Sequence, residues 1–532
     1  MKRAVTGYWP LTKLLFRKDR WKILIWLFCL VAVTVASAMA YPEVYKTDED
    51  IMGFALTMEN PGMKAMIGPG YELEEYTSTA QIFAHELLLF TTIAVAVMNI
   101  LFVSRATRVD EEEGQTELVL SLPVGRLSYL LAAMIEAFVV NLILVLATGA
   151  SLYLLDIEGY SLEGAFLYGA ILGATGLFFA GVTAFLAQLM ETARGATGWS
   201  FVVMIGGYIL RAFGDVEAET LSLLTPYGWA TRARVFVDND WWPVGLLLAV
   251  GILLLIVSFY LNSLRDMGAG FIRSRRGRAN ASSFIKFPPG FVLRQQWLHI
   301  VGWGAGLFFL SAAFGSIMGE LESYFADLDL LKMIFSDQRD FTLQFTVFLM
   351  AIMAIFGVVP AITGMLSLKG EETRNRAEHI YARAVSRNTV MLSYLAVGIF
   401  ITVVMQVMTA TGFWIASTAV MEEVLTVTDI FRSAFLYLPA MWVFVAIVVF
   451  LIGIFPRVTV LIWVYYGYCF FVVYFKEILD MPEWLTAFSV FEHIPQYPLE
   501  DMSWSALLIL VGIALVFKVL GVIGYHRRDL SG

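Results

Sequence analysis

A chain of 532 residues that is 59% hydrophobic and only 15% charged carries more apolar surface than a soluble fold can bury. Its net charge of −9 is segregated by segment, so it is no argument for a nucleic-acid partner, and none is expected. The two cysteines, Cys29 and Cys469, both lie in apolar stretches, which excludes a disulfide framework and a cysteine metal motif.

The basic lead (Lys2, Arg3, Lys13, Arg17, Lys18, Arg20) interleaves Trp9, Leu11, Leu14, Leu15 and Trp21, predicting a short helix in the membrane interface over residues 9–20. Span 1 follows from Lys22 to Tyr41. Its tail, Ala36-Ser37-Ala38-Met39-Ala40, has the small residues of a signal-peptidase site. The long charged lead and the extended apolar core favour a retained span instead.

A stretch of about 20 apolar residues crosses about 30 Å of hydrocarbon. On that measure spans 2–6 fall near 82–104, 128–155, 163–189, 197–213 and 241–263. Spans 7–12 fall near 297–317, 342–366, 389–417, 431–455, 457–475 and 504–525. The expected fold is therefore all-α and polytopic, with twelve transmembrane helices. Lysine and arginine collect in the N-terminal segment and in the 105–126, 264–296 and 369–387 segments, while residues 41–84 are acidic. This asymmetry places both termini and both charged loops in the cytoplasm.

The loop between spans 2 and 3 recurs about 261 residues later. At that spacing Arg108 meets Lys369, Asp110 meets Glu371, Glu111 meets Glu372, Glu117 meets Glu378 and Arg126 meets Arg387. Leu264-Arg265-Asp266 likewise returns as Arg528-Asp529-Leu530. Such a repeat predicts two parallel six-span halves, 1–280 and 281–532, with the seam in the Gly/Pro/Arg-rich linker. The first outer loop is expected to hold about fifteen residues more than its counterpart.

GxxxxGK[ST] is absent, and His85-Glu86 lacks the second histidine of a zinc hydrolase helix. No catalytic constellation or metal site is expected, and the chain is read as no enzyme. Glu86, Glu136 and Lys518 are ionisable residues within spans, where a charge costs about 2.5–3.5 kcal/mol. Glu136, with Tyr465, Tyr466 and Phe470 of the aromatic span 11, marks a candidate path for a bulky apolar substrate. Helix packing is the competing reading of those aromatic residues. In the 105–126 loop, Glu117 to Leu122 predicts a short amphipathic turn stopped by Pro123 and suited to docking a partner. Three classes remain open on residues alone: an ATP-driven permease, an ion-gradient carrier, and a membrane scaffold or sensor.

The run Asp110-Glu111-Glu112-Glu113-Gly114, then Glu117-Leu118 and Ser121-Leu122-Pro123-Val124-Gly125-Arg126, resembles the signature of type-2 ABC exporter permeases. The closest subgroup is the duplicated twelve-span kind of the tetronasin-resistance sort, associated with antibiotic and polyketide export or resistance. The resemblance covers essentially the whole chain; the second copy departs where Arg383-Ala384 replaces Leu-Pro.

Such a permease binds a separate ABC ATPase, which implies two copies per chain. ATP-Mg would sit on that partner, with no cofactor on this chain. The resemblance assigns ATPase coupling to Arg108, Asp110, Glu111, Glu117 and Arg126, and to Lys369, Glu371, Glu372, Glu378 and Arg387. An extracellular gate would involve Pro226, Tyr227, Trp229, Phe491, His493 and Pro495. The basic segments 9–20 and 288–296 would be connecting helices. The implied cargo is a small amphipathic or hydrophobic compound, and the implied location a bacterial or archaeal plasma membrane.

Overall fold

The computed structural model describes residues 2–273, 280, 282–318, 341–373, 376–382, 385–420, 426–476, 481–500 and 502–528. Two compact units divide the chain, Met1–Gly277 and Arg278–Gly532. Regular structure among the described residues is helical, apart from an isolated bridge pairing Met190 with Ile272.

The first unit contains six long helices: Tyr8–Val44, Thr79–Ser104, Ser128–Leu154, Leu162–Leu189, Ala193–Glu217 and Trp242–Leu264. The second of these continues through a π-helical turn, Arg105–Val109, into Asp110–Glu112. Hydroxyl residues set several starts. Ser78 forms a capping box with Gln81, and Ser161 and Thr192 each accept a backbone N–H from the first turn.

The second unit contains Pro288–Ile317, Phe341–Thr373, Arg387–Val420, Leu438–Ile454 preceded by Val427–Phe435, Leu461–Phe475 and Trp504–Arg527. Eleven helices among the described residues are long and apolar enough to cross a membrane, where twelve spans were expected. The difference lies at 457–475. Pro456 opens a 3-10 turn, Pro456–Val458, and the apolar helix that follows runs for only 15 residues. At 1.5 Å per residue it is about 22 Å long, short of the hydrocarbon thickness.

The separate interfacial helices expected at 9–20 and 288–296 are also absent as such. Each is the first part of a continuous long helix. In the first unit nothing interrupts the ladder near Arg20, and Asp19 and Lys18 are held by partners on the adjacent loop, which keeps the lead turn in line with the span.

Packing follows the rules of a lipid solvent, where small residues let helices approach. Gly169, Gly173 and Gly176 bring Leu162–Leu189 onto the backbone and Asn141 of Ser128–Leu154. Gly181 faces Gly251, and in the second unit Gly453 faces Gly521 in the equivalent crossing. Asn99 and Asn141 exchange two side-chain hydrogen bonds, 2.7 and 3.2 Å, satisfying two buried amides between spans 2 and 3.

The loop between spans 1 and 2 folds into helices Asp48–Thr57 and Pro61–Ile67 over a small core of Phe54, Met58, Ile67 and Tyr76. Fully buried Arg211 of span 5 donates to the Ala65 carbonyl at 2.7 Å and pairs with Asp215 at 3.0 Å. The corresponding stretch of the second unit, 319–340, lies outside the described residues.

Candidate functional site

In the first unit the loop between spans 2 and 3 is built as a rigid projection. The π turn rotates the end of span 2 so that Arg108, Asp110 and Glu111 all point inward. Asp110 accepts from Lys18 at 2.7 Å and from the Tyr129 hydroxyl at 2.6 Å. Glu111 takes both terminal guanidinium nitrogens of Arg265, at 2.7 and 2.5 Å, and the Gly268 amide at 2.7 Å. Arg108 donates to the Glu191 carbonyl and lies 3.1 Å from Glu111. Glu112 accepts the Ala193 amide at 2.6 Å, fixing the loop to the start of span 5. Expected as surface contacts, Arg108, Asp110 and Glu111 instead form the buried anchor.

Gly114 then turns the chain with φ +74°, a conformation that costs other residues energy, and the helix Gln115–Leu120 follows. The short helix expected at 117–122 is present but two residues earlier, ending at Leu120 rather than against Pro123. Glu117, Leu118 and Leu122 face outward; the leucines are 73% and 59% exposed. The returning strand of the loop is clamped by the N-terminal segment: Gly125 donates to the Thr6 carbonyl and Leu127 to that of Ala4. Exposed Arg126 donates to the carbonyls of Asn262 and Arg265.

The second unit repeats the central knot. Glu372 pairs with Arg528 and accepts the Tyr525 hydroxyl at 2.6 Å, while Arg387 donates to the Arg528 carbonyl at 2.9 Å. Glu371 accepts from Gln295 at 2.9 Å, as Asp110 accepts from Lys18 in the first unit, and also pairs with Arg376 at 2.7 Å. Lys369 reaches Thr459 at 2.8 Å. Span 8 runs as α-helix through Thr373 with no π turn, and Glu378 is exposed on the short helix Arg376–Tyr381. The Tyr381 hydroxyl meets that of Tyr525, and burial raises its pKa above the ordinary phenol value. Residues 374, 375, 383 and 384 of this loop lie outside the described set.

Arg265, Arg528, Lys18 and Tyr129 were not singled out as site residues. The Arg-Asp echo at the two ends of the halves was the available signal for the two arginines; Tyr129 carries no pattern that marks it.

The candidate gate residues sit in short elements packed into each unit. Thr225 caps Pro226–Thr231, Tyr227 is buried against Phe179, and the Trp229 indole donates to Leu223. Val490–His493 places Phe491 against Tyr437 and Phe444, Pro495 is buried, and His493 contacts the Ala487 carbonyl at 2.8 Å. Among the candidate path residues, Tyr465 and Tyr466 pack on Phe444, and Phe470 packs on Phe356 and Tyr474. Glu136 is buried near the anchor. Glu86 accepts the Tyr41 hydroxyl at 2.6 Å, so this in-span carboxylate has a partner.

Two matched loops, each tied to the end of its own unit, sit in a family pattern. The family described as "Multidrug efflux system permease Rv1217c, C-terminal domain" matches residues 11–261 and 285–526. The chain belongs to this family. It is also 30% identical to the multidrug efflux system permease protein Rv1217c of Mycobacterium tuberculosis over 535 aligned residues, covering 99% of this chain and 95% of that protein.

Each matched segment of this efflux permease contains one anchored loop and one short element before its last span. The expected kinship with exporter permeases holds, and the chain is a multi-pass membrane protein of the transport-subunit class.

Proposed function

We propose that this chain is the membrane subunit of an ATP-driven exporter and works with a separate ATPase, two copies of which bind one chain. The observation that carries the reading is the duplicated knot, Glu111–Arg265–Arg126 in one unit and Glu372–Arg528–Arg387 in the other. A loop that only set topology would not need buried carboxylates. A loop that transmits force needs a stiff connection to the transmembrane helices, and the knot ties each loop to the last span of its unit.

ATP binding would draw the ATPase pair together and move both loops, and with them both sets of spans. Hydrolysis would reset them. The cycle requires only that the partner bind two conformations with different affinity. Both termini and both loops would face the cytoplasm, and the outer elements around Tyr227 and Phe491 would serve as the external gate. The cargo class is an amphipathic or hydrophobic compound, antibiotics among them, in line with the multidrug description of the M. tuberculosis relative.

Reversing Glu117 and Glu378 together (Glu117→Arg, Glu378→Arg) tests the reading. ATP-dependent transport should be lost while membrane insertion and monodispersity persist. Unchanged transport by the double variant would count against it.

A second reading has one observation in its favour. Glu136 is buried within a span, and its Oε1 has no hydrogen-bond partner; an ionisable residue so placed is a candidate for ion coupling. Flux that follows an imposed pH gradient and stops in Glu136→Gln, without any ATPase present, would support that alternative.

A further inference from the structure

The two loops share an anchor but not a tip. In the first, Leu118 of the short helix and Leu122 just past its end are 73% and 59% exposed. The same loop carries the exposed carboxylates Glu113 and Glu117, the latter next to Leu118 in the chain. At the repeat spacing, Leu118 becomes His379 and Leu122 becomes Arg383. His379 and Glu378 are exposed, whereas the apolar residues beside them, Ile380 and Tyr381, pack inward on the second unit's own core. The first loop therefore offers exposed apolar side chains beside carboxylates, and among the described residues of 376–381 the second offers exposed polar and charged side chains in their place.

Building on the proposed function, we infer that the two ATPase-docking loops are unequal. The Leu118–Leu122 knob provides the affinity contact, and the 376–381 loop is a weakly held, electrostatic contact. The occupant of the first tip is a protein groove with an apolar floor and a basic rim. Charge chooses among the candidates. The exposed carboxylates Glu113 and Glu117 are repelled by an anionic lipid surface, which attracts lysine and arginine instead. A second copy of this chain would bring the same carboxylates against themselves.

Apolar side chains buried at the centre of an interface govern dissociation, while exposed rim charges govern encounter and salt dependence. One ATPase of the pair would therefore stay on the first loop through the cycle while the contact at the second is made and released.

The test uses the full-length chain in lipid nanodiscs and, as probe, the purified ATP-binding protein encoded beside it. Leu118→Ala/Leu122→Ala should raise the dissociation constant roughly 100-fold, chiefly through dissociation rate. Leu118→Met/Leu122→Met should bind like the parent, which separates lost contact from lost folding. Glu378→Ala/His379→Ala should change the dissociation constant by no more than about threefold and flatten its salt dependence. Equal losses from the two loops, or a larger loss from the second, would overturn the inequality and leave the exporter reading standing. No binding by the parent chain would overturn the exporter reading and this inference together.

Discussion

Glu111 and Arg265 meet in a bidentate ion pair, with both carboxylate oxygens engaged and each side chain 6% exposed. They are distant in sequence, one on the loop after span 2 and one just past span 6. Their pairing makes the loop part of the helical body. Glu372 and Arg528 make the same connection in the second unit.

Breaking one partner of such a pair leaves a charge buried without compensation. Glu111→Gln should therefore destabilise the first unit by about 3–5 kcal/mol. Replacing both residues, Glu111→Leu with Arg265→Leu, should cost less than the sum of the single changes. Thermal unfolding of the purified chain in detergent, run as a double-mutant cycle, measures the difference.

Gly114 has φ +74° and open space where a Cβ would sit. Gly114→Ala should then cost about 1–2 kcal/mol through backbone strain alone, and Gly114→Asn less. The effect should be local: faster protease cleavage within 105–126, with the global unfolding midpoint nearly unchanged.

Gly181 and Gly453 each face a backbone carbonyl of the opposing helix, at Gly251 and Gly521. Either one changed to leucine should prevent the helices from closing and abolish the yield of monodisperse protein. Gly245→Leu and Gly512→Leu, where nothing lies within 4 Å, should express normally. Size-exclusion profiles of the four variants check this contrast.

Arg211 holds the cap formed by the loop between spans 1 and 2 by donating to the carbonyls at the end of helix Pro61–Ile67, and it neutralises Asp215. Arg211→Met should release the cap and leave Asp215 buried without its guanidinium, costing about 3–5 kcal/mol. Limited proteolysis should shift to residues 48–76 while the remaining spans stay protected.

Much of this architecture is legible from one-dimensional pattern. Apolar length marks eleven of the spans, because a helix in lipid must satisfy its backbone internally and must be long enough to cross. The stretch 457–475 is apolar and helical as expected, but hydropathy does not register that regular helix restarts only at Leu461, after the turn opened by Pro456. Hydropathy also separated the lead at 9–20 from span 1, although backbone hydrogen bonding runs through both. The candidate site was legible as a repeat of charges but not as a division of labour among them. Asp110 and Glu117 look alike in sequence; one is 1% exposed and held by Lys18 and Tyr129, and the other faces solvent.

Sequence alone determined the lipid solvent, the duplication, the position of both charged loops and the short helix before Pro123. Those properties depend on composition, period and local backbone restriction, which are written along the chain. Tertiary structure alone decided which charges are buried. Burial depends on what another segment brings: Arg265 to Glu111, Lys18 to Asp110, and nothing to Leu118, which is left exposed at the loop tip.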